Sequence, residues 1–232
     1  RSYAECSTEG GPSAPPVVLR PHVKTTNISN IFVDMRHAWT EELNIAPSGA
    51  VDEFRRKKAR NDYPVMALWE MGLRGLRVPL QDLMDAATKR RMEIMFGVGH
   101  KFHIYRYGIP TKIEIETIKK HFSMIEELEL VLGWETIDEQ VSTIQFLKDE
   151  TRLPIVLSRV NRNDASKTSG GKYNHLISHG FTIAEIPEIT SFIRKNPLLL
   201  DGFQFTIPRS VNPWNAGREL QLFKNDTNCK PT

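Results

Sequence analysis

Short apolar runs recur along this chain at intervals of roughly 25–30 residues with helical stretches between them, the spacing of βα units that build a parallel sheet. The runs are Ile31-Phe32-Val33, residues 63–69, residues 75–80, Ile94-Met95-Phe96, residues 128–132, residues 153–157, residues 181–184 and residues 202–207. Between them, helices are expected over 82–91, 111–127, from Thr136 along the face Val141, Ile144, Phe146 and Leu147, over 173–179 and over 188–196. About eight such units in a chain of this length predict an α/β fold, a single (β/α)8-like barrel that is allowed to be distorted or incomplete. A doubly wound open sheet is the alternative, but no Gly-rich phosphate loop follows the first strand. The expected organisation is an extended Pro/Gly-rich leader over 1–30, a barrel domain over 31–210, and a tail over 211–232 that returns to the N-terminus.

The chain has two cysteines, Cys6 and Cys229, and they bracket this domain. A lone pair outside the core reads as one disulfide that closes the fold, with domain termini commonly near each other. On the chain-entropy account so long a loop would contribute roughly 5 kcal/mol. The sequons Asn27-Ile28-Ser29 and Asn225-Asp226-Thr227 lie beside the cysteines and mark Asn27 and Asn225 as glycosylation candidates. Together these features predict a secreted, disulfide-bonded glycoprotein. No signal peptide is visible in the first residues, so a processed or trimmed N-terminus is expected.

Charge narrows the partners. Lys plus Arg number 31 and Asp plus Glu 28, a net +3, too balanced for a dedicated nucleic-acid binder. No apolar run reaches the ~18 residues of a membrane span. The strongest charge feature is the run Arg55, Arg56, Lys57, Lys58 and Arg60, a candidate site for heparan sulfate or another polyanion, or simply a solvated face.

In a barrel of this class, chemistry sits where strands end. Asp34, Arg36 and His37 end the first run and could serve as acid, base or anion ligand. Asp52 and Glu135 are further candidate acids, and Arg159 could pair with an anion. His100 and His103 stand three apart, a spacing that could ligate metal on a helix, but third and fourth ligands are lacking and a chance pair is the simpler reading. The strand ends at residues 68–69, 79–81 and 97–99 carry no carboxylate. No nucleophile elbow or HExxH helix is present, and no cofactor is expected.

Several short motifs resemble the menorin-domain family, whose barrels are related to phospholipase-C-like phosphodiesterases. Leu132-Gly133-Trp134-Glu135-Thr136 is similar to the family's Leu-Gly-Trp-Thr-Thr strand end, and Pro64-Val65-Met66-Ala67 to its Pro-Ile-Met-Ala strand. Gly75-Leu76-Arg77 resembles Gly-Ile-Lys, and His37-Ala38 the start of His-Ala-Ala-Asn. Where the family has His-Pro-Pro, Leu-Asp-Phe-Lys and Asn-Ala-Asp, this chain has Leu68-Trp69-Glu70, Val78-Pro79-Leu80-Gln81 and Gly97-Val98-Gly99. The resemblance therefore implies a divergent member that has lost metal-assisted chemistry and kept the barrel. The expected function is that of a secreted, non-catalytic pseudoenzyme, an extracellular protein-binding or signalling ligand that can dock on heparan sulfate. The alternative is a metal-assisted hydrolase, phosphodiesterase-like or glycosidase-like, using Asp34, His37, Asp52, His100 and Glu135 at the barrel mouth.

Overall fold

The computed structural model describes residues 31–35, 39, 42–44, 58–60, 63–161, 178–208 and 210–232. In chain order, Phe32–Asp34 (β1) precedes a small antiparallel pair, Glu42–Asn44 (β2) and Lys58–Arg60 (β3). Then come Tyr63–Glu70 (α1), Gly75–Pro79 (β4), Leu80–Met84 (α2), Ala86–Gly97 (α3), Lys101–Tyr107 (β5), Lys112–Lys120 (α4) and Ile125–Leu132 (β6). Ile137–Thr151 (α5), Ile155–Asn161 (β7), Ser178–His179 (β8), Ile186–Lys195 (α6), Gly202–Phe203 (β9), Pro213–Thr227 (α7) and Lys230–Pro231 (β10) complete the described elements.

One parallel sheet runs in the order β1-β4-β5-β6-β7-β9-β10, with β8 antiparallel at the end of β7. Each strand is added on the same side as the last, so there is no point at which the order reverses. That excludes the doubly wound alternative, which requires a reversal. With right-handed crossovers the same order winds the helices onto one face and leaves the other to be covered by curling. The curl can be measured from one contact. Lys230 sits in register with Gly202, Val156 and Glu129, three strands from β6 and about 14 Å away on a flat sheet. Its Nζ nevertheless lies 3.0 Å from Oε2 of Glu127 on β6. Among the described residues seven parallel strands are present where the spacing predicted eight, and the outer edges of β1 and β10 are unpaired, so the sheet is a curled part-barrel and not a closed ring.

The helix-facing side is apolar. Leu76, Val78, Phe102, Ile104, Leu128, Leu130, Ile155, Leu157 and Phe203 are fully buried there, each contributing roughly 2 kcal/mol. Phe181, Phe203, Phe205 and Phe223 stack edge to face, with centroids 5.3–6.4 Å apart, and dock α7 onto the sheet. Residues 211–232, expected as a tail, thus supply a helix and a sheet strand. Gly75 lets β1 approach β4, since a Cβ there would meet the Ile31 carbonyl oxygen at 2.5 Å.

Several expected elements differ. Residues 178–179, expected to end a helix over 173–179, form β8. Of residues 181–184, expected as a strand, Phe181 makes a single bridge to Phe205 and a 3-10 turn follows at Ile183–Glu185. β5 stands where no strand was expected. Residues 63–69, counted with the strands, form α1, with Pro64 in its first turn where a missing N–H costs nothing. Ile94-Met95-Phe96 belongs to α3, because the buried residues Thr88, Met92 and Met95 recur at helical spacing while Ile94 is exposed. Gly99, at φ 95°, then stops that helix as the His100 N–H donates back to the Met95 carbonyl. The helix expected over 111–127 is shorter. Its Thr111–Glu114 capping box holds as a start, but it ends at Lys120, and Ile125 onward is strand.

Candidate functional site

On β6 the alternation of side chains places Leu128 and Leu130 toward the helices and Glu127 and Glu129 toward the hollow side. A bulge between Phe102 and His103 shifts the β5–β6 register, so that Phe102 pairs with Ile125 but His103 pairs with Glu127. The exposed Glu126 is the extra residue. Were Glu126 paired with His103 in an unbulged register, Glu127 and Glu129 would face the helices. Two rows result, running across the strands. One holds Asp34, Arg77, His103 and Glu127; the next holds Pro79, Tyr105, Glu129, Val156, Gly202 and Lys230.

Glu129 is the hub and is fully buried. Its Oε2 accepts from Arg77 Nε at 2.8 Å and lies 2.8 Å from His103 Nε2. Its Oε1 accepts from Arg77 Nη2 at 2.9 Å and lies 3.1 Å from His179 Nδ1. His103, also fully buried, places Nδ1 2.7 Å from Glu127 Oε1, and Lys230 donates to the same carboxylate. Arg77 Nη1 is 3.2 Å from Asp34 Oδ1, and the guanidinium lies over the Tyr105 ring at 4.3 Å. Burial works to raise the Glu129 carboxyl, but hydrogen bonds with His103, His179 and Arg77 outweigh it and hold the group well below the usual range. Glu127 is likewise lowered against its burial by His103 and Lys230. Burial pushes the Tyr105 phenol up to about 12.

Toward the C-terminal ends of the strands, Tyr105, Tyr107 and His179 pack ring against ring, with centroids 5.5–5.9 Å apart. Ser158 Oγ lies 3.4 Å from His179 Nδ1, the same nitrogen that faces Glu129. A serine triad needs the hydroxyl and the carboxylate on opposite ring nitrogens, and here both share one. This arrangement therefore does not activate Ser158.

Of the residues singled out by sequence, Asp34 joins the cluster through Arg77. Glu135 does not. It sits in the 3-10 turn Trp134–Thr136 with its side chain 79% exposed, 3.8 Å from Arg159 Nη2. Arg159 donates to Glu185 and is thereby committed to a protein partner. His100 precedes β5 at the opposite end of the sheet, buried, with Nδ1 3.1 Å from the Met95 carbonyl oxygen; burial lowers its pKa. His100 and His103 are thus not a helical pair: they lie on one extended segment at odd spacing, and only His103 belongs to the cluster. His37 and Asp52 lie outside the described residues, as do Arg55, Arg56, Lys57, Cys6 and Asn27. Lys58 and Arg60 occupy β3, in register with Asn44 and Glu42. Cys229 is buried, its Sγ 3.6 Å from the Leu200 carbonyl oxygen, and in the thiol form burial raises its pKa. Asn225 is exposed on α7, its amide oxygen accepting from Gln221 at 3.0 Å.

Sequence reasoning named His103 only as half of a possible metal-ligand pair and passed over Arg77, Glu127, Glu129, His179 and Lys230, because it inspected strand ends, whereas these side chains lie mainly within the strands. The signal was present in Glu127-Leu128-Glu129-Leu130, acids alternating with leucines in an otherwise apolar run. Among the described residues no helix is long and apolar enough to cross a membrane. No family model, curated protein or solved structure matches the chain.

Proposed function

We propose that this protein is a non-catalytic, (β/α)8-like barrel that acts in the extracellular space as a protein-binding or signalling ligand. The observation that supports this is the pairing of its inward acids. Glu127 faces His103 and Lys230, Glu129 faces Arg77 and His103, and Asp34 faces Arg77. A general acid or base works best with a pKa near the working pH, and the two glutamates are held in the opposite direction. Their charges serve the protein's own cations. On this reading the barrel is a divergent relative of menorin domains, closed by a Cys6–Cys229 disulfide, glycosylated at Asn27 and Asn225, and docked on heparan sulfate by Arg55, Arg56, Lys57, Lys58 and Arg60.

Two measurements test the proposal. Purified protein is assayed on bis(p-nitrophenyl) phosphate with Mg²⁺, Ca²⁺ or Mn²⁺, and no turnover above buffer is expected. Metal-dependent turnover that disappears in His37→Ala would overturn the non-catalytic reading. Heparin retention, eluted by salt, should fall when the five basic residues are replaced by Ser. Retention unchanged by that replacement removes the docking assignment. One observation favours the hydrolase as a second reading: Asp34 is placed beside Arg77 at the C-terminal end of β1, where barrel enzymes hold their chemistry. Under it, the same assay would show activity lost in Asp34→Asn.

A further inference from the structure

On the hollow side of the sheet one histidine lies between two buried carboxylates. The fixed cations are Arg77 on β4 and Lys230 on β10; the acids are Asp34 on β1 and Glu127 and Glu129 on β6. Among the described residues two fixed cations face three acids, and of these acids Glu127 and Glu129 are almost wholly buried. His103 on β5 lies between the two glutamates. Both of its ring nitrogens are within 2.8 Å of carboxylate oxygens, 2.7 Å at Nδ1 and 2.8 Å at Nε2. An ionised carboxylate only accepts hydrogen bonds, and a neutral imidazole has only one N–H. A neutral ring would turn a lone pair toward a carboxylate oxygen at contact distance.

We infer that His103 is an imidazolium at neutral pH, the third cation of this interior, and that its loss of a proton at alkaline pH loosens the β5–β6 bulge and the sheet around it. The other groups facing it are consistent with this role. Phe32 on β1 packs edge-on against the ring at 5.9 Å and keeps water away. Tyr105, on the same strand, stays neutral through the relevant range, its phenol pushed up to about 12. His179 on β8 contacts Glu129 on the carboxylate's other oxygen. Burial works to lower the His103 pKa, but its bonds to Glu127 and Glu129 prevail and raise it. A raised value means that the stability His103 contributes is complete below the ordinary histidine pKa of ~6.5 and is lost as pH rises through the folded value. The inference is independent of the function proposed above, since it concerns how the interior is held together.

The experiment is ¹⁵N NMR of the histidine rings in the full chain, with His103 assigned through its contacts with Phe32. At pH 7.5 both ring nitrogens of His103 should resonate in the protonated range. A single unprotonated nitrogen at that pH overturns the inference. In Glu127→Gln, which removes one of the two carboxylates, the His103 titration midpoint should fall by at least one pH unit, a tenfold loss in proton affinity; an unmoved midpoint also overturns it. The wild-type denaturation midpoint should drop at alkaline pH in step with the ring titration. His103→Gln should lack that alkaline limb. If either variant fails to fold, the wild-type ring shifts and their coincidence with unfolding decide the matter.

Discussion

On β6, Leu128 and Leu130 face the helices while Glu127 and Glu129, one position away, face the hollow side of the curled sheet, and both sets are buried. At β6 the two faces are about equally dry and chemically opposite. The helix side is held by area: its side chains contribute roughly in proportion to apolar surface removed from water, and partners of similar volume can replace one another. The hollow side is held by pairing. Each charge there is tolerable because a specific opposite charge is within about 3 Å, and removing one strands the other in a medium that solvates it poorly. The apolar face should therefore degrade by increments under mutation and the charged face by steps.

The largest break in that comparison should come from acid, which removes the charge of both glutamates at once. Glu127 and Glu129 are depressed in the folded state, so the stability they contribute is present above the ordinary carboxyl pKa of ~4.3 and is lost as pH falls through their folded values. A thermal midpoint that holds to about pH 5 and collapses below about pH 4 is expected by calorimetry. An unchanged midpoint at pH 2 would mean that the pairs contribute nothing. Glu129→Ala comes next, leaving Arg77 and His103 short of a partner, and should cost about 3–5 kcal/mol in urea denaturation. Leu130→Ala, on the opposite face of the same strand, should cost about 3 kcal/mol by cavity formation. A larger loss from Leu130→Ala than from Glu129→Ala would erase the distinction between the faces. The smallest effect sharpens the background: Thr111→Ala removes the side-chain half of a capping box remote from both faces and should cost about 1 kcal/mol.

The alternation of apolar runs and helices was enough to read α/β architecture, parallel pairing and most strand positions, because buried strands and amphipathic helices carry different periods. It misplaced residues 63–69 and 94–96, where short apolar runs fit a strand or a buried helix equally well and only the partners on each side decide. It also missed β5, whose polar residues interrupt the apolar pattern, and expected a strand over 181–184 where only a bridge at Phe181 forms. Of the candidate site, Asp34 was legible as a polar group at a strand end. Glu127 was hidden inside an expected helix, and Lys230 inside an expected tail. Neither could be paired with His103 on paper, because the three are more than twenty residues apart and a single bulged residue, Glu126, sets the register that joins them.

By itself the sequence determined the class of fold, through periodicity that any βα chain must obey to bury two kinds of surface. It also determined that the chain lacks the motifs of a serine hydrolase or a zincin. Tertiary structure alone decided the order of the strands, the curl that brings β10 across to β6, and the fate of the charges. Secondary structure reflects neighbours along the chain, whereas an ion pair depends on distance in space. For Arg77, His103, Glu127, Glu129 and Lys230, that distance exists only after the sheet has been assembled and curled.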